Sequence, residues 1–346
     1  MKLTGSEREF YRHFSRHGQG DTLVEITPQE VALLAAMTHL DLHEGDIPWW
    51  LGQDLYHVAK KPFFDITVND IAQLDPRSEA TALDILRDAG VTDLTSPEYH
   101  YLSNLAALYR RRAKYYRILS RQPFPTPDQI GPRCLLEYGR CESHLLFSWM
   151  SWRKLCFDLD NRSAQETGYL FEPIIASCLG GESMGSSNSV VRRLNDDGKP
   201  TSQGRQIDCY VKDTNRVYEL KMRMTIAASG QGRFSEELSF PREAAAAGLT
   251  PVLIVFDPTP SNRLEELCIA YAEAGGESAV GDDAWTLLKN SAEHGMATFI
   301  EKYIEPPINA ARGGVHGAPC PITLQTSDHS ISISNGKETY RFPRER

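Results

Sequence analysis

The segment from Pro251 to Asp257 (PVLIVFD) constrains this chain more than any other. Its run of apolar residues, Val252 to Phe256, leaves no polar face, so a strand here must be covered on both sides. The run is strand-sized, far short of the ~20 apolar residues that a membrane helix needs. A strand buried on both faces lies inside a sheet flanked by helices, which makes the fold class α/β. With 346 residues the chain is long enough to bury such a core.

A strand pair precedes it. In Gln206 to Val211, the apolar Ile207, Cys209 and Val211 alternate with Gln206, Asp208 and Tyr210. In Arg216 to Met224, Val217, Glu219, Lys221 and Arg223 share one face, and Tyr218, Leu220, Met222 and Met224 share the other. Lys212 to Asn215 (KDTN) supplies turn residues. With Asp213 and Thr214 as the turn, Asp208 lies opposite Glu219. A helix is expected before the hairpin, from Ser163 to Leu179, opened by Ser163 and Glu166 in capping-box spacing and ended by Gly180 and Gly181. Pro173 lies inside it and should kink it. Further helices are expected near Pro241 to Ala247, Asn262 to Ala274 and Asp282 to Ile304. The order helix, hairpin, helix, strand predicts a mixed central sheet.

Residues 1 to about 120 read as helical. Thr27 caps a helix that begins at Pro28, and a long helix is expected from Ser96 to Arg121. In the tail, ISIS and KETYRF flank Asn335 and Gly336, a strong hairpin signal. The expected division is a helical region over 1–125 for DNA recognition or dimerisation, a catalytic core over 126–312 and a C-terminal β-hairpin over 313–346.

The chemistry lies on the hairpin. Opposed side chains in an antiparallel pair have Cβ atoms roughly 4.5–5.5 Å apart. Two carboxylates at that distance repel each other unless a cation lies between them. Lys221 projects from the same face as Glu219. Two hard oxygen ligands and an ammonium on one small volume suit Mg²⁺ and phosphodiester hydrolysis. An E-x-K on a strand is common by chance. The facing aspartate, the preceding helix and the following buried strand are what raise it above chance.

This combination resembles the PD-(D/E)xK nuclease core over roughly residues 163 to 275. Gln206-Ile207-Asp208 stands for the first acidic motif, without its usual proline, and Glu219-Leu220-Lys221 for the second. The segments DNRSAQETGYLFEPIIA, GRQIDCYV, YELKMRMTIAASGQGRFSEELSFP and GLTPVLIVFDPTP further resemble type II restriction endonucleases of the ApaLI family. That resemblance implies a Mg²⁺-dependent homodimer cutting double-stranded DNA at a palindromic hexamer, GTGCAC in the type member. It implies a prokaryotic cytoplasmic setting and a cognate DNA methyltransferase. It also implies Asp208, Glu219 and the Leu220 carbonyl as metal ligands and Glu172 as a helical glutamate near the metal. The other reading of Glu172 is a solvated residue before the kink. The alternative function on the same core is a structure- or damage-specific nuclease.

Several residues read as DNA contacts. Ser229, Gln231 and Arg233 lie in a glycine-containing loop leaving the catalytic strand. Arg205 precedes the motif strand. Arg112 and Lys114 belong to the basic, tyrosine-rich end of the long helix, which reads equally as a packed helix with paired or solvated arginines. The net charge of -9 excludes a passive DNA coat, which would be basic, but not an enzyme that focuses positive charge in one cleft. Seven scattered cysteines without a CxxC, and an opening segment (MKLTGSEREFYRHF) without a signal-peptide core, point to a reducing cytoplasm and no membrane partner.

Overall fold

A computed structural model of the chain describes residues 2–17, 23–91, 94–139, 144–222, 231–314 and 321–344. The N-terminal part is helical: α1 (Gly5–Ser15), α2 (Pro28–Leu42), α3 (Gln53–Ala59), α4 (Val68–Ala72), α5 (Glu79–Asp88), α6 (Pro97–Arg121) and α7 (Pro127–Tyr138). Two short strands, β1 (Arg16–His17) and β2 (Val24–Glu25), pair antiparallel between α1 and α2. Thr27 caps α2, as the sequence predicts, with Glu30 completing the box, and the expected long helix α6 starts one residue later than Ser96, which caps it.

The helix before the hairpin differs from expectation. It is α8 (His144–Cys178), 35 residues long, and it runs through Ser163 and Pro173. Ser163 is no N-cap: its hydroxyl accepts from Arg111 at 3.0 Å, and Glu166 is ion-paired to Lys114. Long-range partners therefore use the two residues whose spacing imitates a capping box. Gly180, at φ +72°, ends the helix. Gly181 then passes so close to the next strand that a Cβ would lie 2.5 Å from Cys209 Sγ.

The central sheet has five strands, β3 (Glu182–Met184), β6 (Ile207–Val211), β7 (Arg216–Lys221), β8 (Thr250–Val255) and β9 (Glu277–Val280), in the order β3-β6-β7-β8-β9. β3, β6 and β7 pair antiparallel, whereas β7, β8 and β9 are parallel, so the sheet is mixed. A separate ribbon, β4 (Arg192–Leu194) with β5 (Pro200–Gly204), interrupts the path from β3 to β6. α9 (Gln231–Ala246) connects β7 to β8, and α10 (Asn262–Glu273) connects β8 to β9. α9 begins ten residues ahead of the expected start at Pro241, which lies within it. The stretch expected as one helix from Asp282 to Ile304 divides into α11 (Asp282–Ser291), α12 (His294–Phe299) and a π-helical turn (Ile300–Ile304), and α13 (Glu305–Gly314) follows it. The tail hairpin forms at Asn335 and Gly336 between β11 (Ser330–Ser334) and β12 (Thr339–Pro343), and β10 (Thr323–Thr326) extends it to three strands.

The sheet separates two apolar layers. Tyr218, Leu220, Val252 and Ile254 face Ile174 and Ile175 of α8, in a cluster continuous with the N-terminal helices. Val217, Leu253 and Val255 face Phe240 and Ala244 of α9 and Leu267 and Tyr271 of α10. β8 is buried on both sides, as its composition requires. No described helix is long and apolar enough to cross a membrane.

Candidate active site

The β6–β7 register is the foundation of the site. Cys209 pairs with Tyr218, Tyr210 with Val217 and Val211 with Arg216, which carries Asp208 to the position opposite Glu219. The turn is a 3₁₀ turn over Lys212–Thr214, closed by Asn215 in the left-handed region at φ 51°. On its other side, β6 meets an irregular β3. Glu182 pairs with Tyr210 and Met184 with Ile207, so β6 uses one residue more than β3 between those pairs. Such a bulge re-aims side chains locally. Here it sends Ile207 into the α9 layer while Cys209 stays in the α8 layer, against the strict alternation expected.

The regular ladder ends at Cys209, and the Asp208 side chain continues it. Its Oδ2 accepts the backbone N–H of Leu220 at 2.9 Å. Glu219 and Lys221 project from the same face of β7, and Lys221 Nζ donates to Glu219 Oε1 at 2.7 Å. A second carboxylate reaches the same ammonium from α9: Glu237 Oε1 lies 3.3 Å from it. Glu172, half-buried on α8, completes the group. Its Oε1 lies over Gly168, one turn earlier, 3.0 Å from where a Cβ would stand.

The electrostatics show how crowded these acids are. Burial raises the Asp208 carboxyl well above the usual carboxylate range; Glu219 and Glu172 add to this, while the Leu220 N–H and Lys221 oppose it. Burial likewise raises Glu172, with Glu219 pushing the same way. Burial alone would lower Lys221, but Glu219, Glu237 and Asp208 outweigh it and raise the ammonium above the ordinary lysine value. The lysine stays charged among carboxylates that resist charging. Hard oxygen donors held together in this way suit a small divalent cation. Glu237 Oε2 is buried with no hydrogen-bond partner, a further sign that the local charge is uncompensated. Among the described residues no three His, Cys, Asp or Glu side chains surround one ion position. Asp208 and Glu219 could hold a divalent cation between them. Glu219 opens into a cleft of about 310 Å³ that Arg193, Arg205, Gln206, Glu236 and Glu237 also line. A larger cavity of about 470 Å³ lies at the turn end of the hairpin, beside Lys212 and Asp213, and contains none of these acids.

Residues 65–305, which include every residue of this cluster, match the ApaLI-like restriction endonuclease family. The chain belongs to that family. It is 50% identical over 240 residues to the type II restriction enzyme ApaLI of Acetobacter pasteurianus, an alignment covering 68% of this chain and 63% of that protein. The chain thus spans less than two thirds of that relative's length. No solved structure matches this ApaLI-like chain.

Of the other expected DNA contacts, Arg205 lines the same cleft as Glu219. Arg205 is buried, ion-paired with Glu243, and donates to the Glu236 carbonyl at 2.9 Å and to Ser239 Oγ at 2.6 Å. It fastens the base of the β4–β5 ribbon to α9. Lys114 is buried and ion-paired with Glu166. Arg112 is half-buried, its guanidinium 5.7 Å from the Phe63 ring and 5.9 Å from that of Phe64. Ser229 lies outside the described residues, as do the side chains of Gln231 and Arg233. Glu237 and Arg193 were not anticipated. The signal for Glu237 was present in α9: it lies three and seven residues before Phe240 and Ala244, so an acid occupies the face that packs on the sheet.

Proposed function

We propose that this ApaLI-like chain is a type II endonuclease that hydrolyses both strands of double-stranded DNA at a short palindrome. The observation that carries this reading is the gathering of Asp208, Glu219 and Lys221 on the β6–β7 hairpin, where Lys221 donates to Glu219 and Asp208 accepts the Leu220 N–H, with Glu172 close enough to act on Asp208. The core is read as a PD-(D/E)xK core: the end of α8, the β6–β7 hairpin, α9 and β8. Asp208, Glu219 and the Leu220 carbonyl would hold Mg²⁺. The bound cation would supply positive charge at the scissile phosphate and acidify a water. Lys221 places a permanent positive charge at the same point, where it orients the attacking water and balances charge growing on the phosphoryl oxygens. Glu172 borders the water side of the site. Homodimerisation matches the two-fold symmetry of a palindrome. The N-terminal helices supply recognition or dimer contacts, and a cognate methyltransferase protects the host's own sites.

Phage DNA incubated with the protein and Mg²⁺ should give discrete fragments, with GTGCAC the first target to map. Fragments should vanish on chelation of the metal. Smeared products, or intact DNA with every divalent metal, would overturn the reading.

A further inference from the structure

We infer that Glu237 is a positioning residue that holds the Lys221 ammonium in place when Glu219 turns to a cation. This rests on the nuclease reading of the same site. Lys221 Nζ is shared between Glu219 Oε1 at 2.7 Å and Glu237 Oε1 at 3.3 Å. The two carboxylates come from different elements, β7 and α9. An ammonium fastened only to Glu219 would lose its partner, and be repelled, whenever that carboxylate took up a divalent cation. A second anchor from α9 removes that conflict.

Glu237 is the α9 acid suited to this task. Glu243 is buried and engaged by Arg205 and by the Leu194 N–H. Glu236 is turned toward Arg193, at 3.0 Å. Glu237 places one oxygen on Lys221 and buries the other without a partner. A carboxylate kept half-satisfied beside an apolar layer has no structural explanation in α9 packing. Its single described polar contact is the lysine.

The test compares the wild-type full chain with Glu237→Gln and Glu237→Asp. Without metal, acylation of Lys221 by an amine reagent, followed by peptide mass spectrometry, should run about tenfold faster in Glu237→Gln, the effect of losing one close opposite charge. Other lysines should label at unchanged rates. With Mg²⁺, Glu237→Gln should lower kcat roughly a hundredfold with KM nearly unchanged. Glu237→Asp should recover part of both effects. Unchanged Lys221 labelling, or a normal kcat in Glu237→Gln, overturns the inference. If the wild type cuts no DNA, the nuclease reading fails, and the labelling still decides whether Glu237 anchors Lys221.

Discussion

The β6–β7 hairpin and the C-terminal half of α6 both concentrate charged residues beside tyrosines, and they use them in opposite ways. On α6 the charges are spent internally. Arg110 is buried and donates to the carbonyls of His13 at 3.0 Å and Phe14 at 2.7 Å, Lys114 is paired with Glu166, and Arg111 holds Ser163. Each cation has a partner that stabilises the packing of α6 against α1 or α8. On the hairpin, Glu219 helps raise the proton affinity of Asp208, one lysine serves two acids, and a buried oxygen of Glu237 has no partner. Charge paired across helices supports a fold, even though Arg110 Nε is buried without a hydrogen-bond partner. Like charge held together against its own repulsion is the mark of a site.

The comparison is sharpened most by substitutions that should separate activity from stability. Asp208→Asn and Lys221→Ala should each reduce DNA cleavage by about a thousandfold or more. Sequence-specific binding in Ca²⁺ should persist in gel shifts, because neither residue holds the fold. Normal turnover in either variant would remove the hairpin from the chemistry. Next in size, Lys114→Met should leave Glu166 unpaired and cost roughly 3–5 kcal/mol of stability. Urea denaturation would measure the loss. Cleavage per folded molecule, assayed at low temperature, should stay near wild type.

A third prediction concerns pH. The folded metal-free protein keeps a proton on Asp208 and Glu172 at pH values where the unfolded chain has released it. The native state therefore binds more protons above the ordinary carboxylate value of about 4, and stability falls as pH rises from there through the raised values. Thermal unfolding without metal should show a higher Tm at mildly acid than at neutral pH. Asp208→Asn should flatten that slope and stabilise the neutral protein by about 1 kcal/mol, an activity-for-stability exchange. Ca²⁺ should raise the Tm of the wild type more than that of the variant. A pH slope without metal that is the same in the wild type and in Asp208→Asn would contradict the crowding of acids.

What was legible in the sequence follows the range of the interactions. The hairpin register could be read because alternation and turn residues are local, and the two faces of β7 fall in two different layers as predicted. The covered strand β8 and the caps of α2 and α6 are local signals too. Several of the misses are long-range. Ser163 and Glu166 have capping-box spacing, but their partners lie on α6. The partner of Arg205, Glu243, is 38 residues away, so their pairing could not be read from the sequence. The three- and four-residue strands β3 and β9 are too short for periodicity to reveal, and neither Gly nor Pro marks the break between α11 and α12. The site's triad was readable, whereas Glu237 reaches it only through the packing of α9 on the sheet.

The smallest expected effect tests whether Glu172 belongs with the hairpin or with the structural charges. Gly168 lies mid-helix in α8, where alanine is favoured over glycine by about 1 kcal/mol. A Cβ there would stand 3.0 Å from Glu172 Oε1, tight enough that the carboxylate must move. If Glu172 only decorates the helix, Gly168→Ala should raise stability and leave cleavage unchanged. If its carboxylate acts beside Asp208 and Glu219, the same substitution should raise stability while lowering kcat, by a few-fold to about tenfold. Glu172→Gln, which keeps the shape and removes the charge, should then lower kcat without the gain in stability that the alanine brings. Opposite signs in denaturation and cleavage for Gly168→Ala would place Glu172 with the crowded acids of the hairpin, because a solvated or packed glutamate has no means of coupling the two.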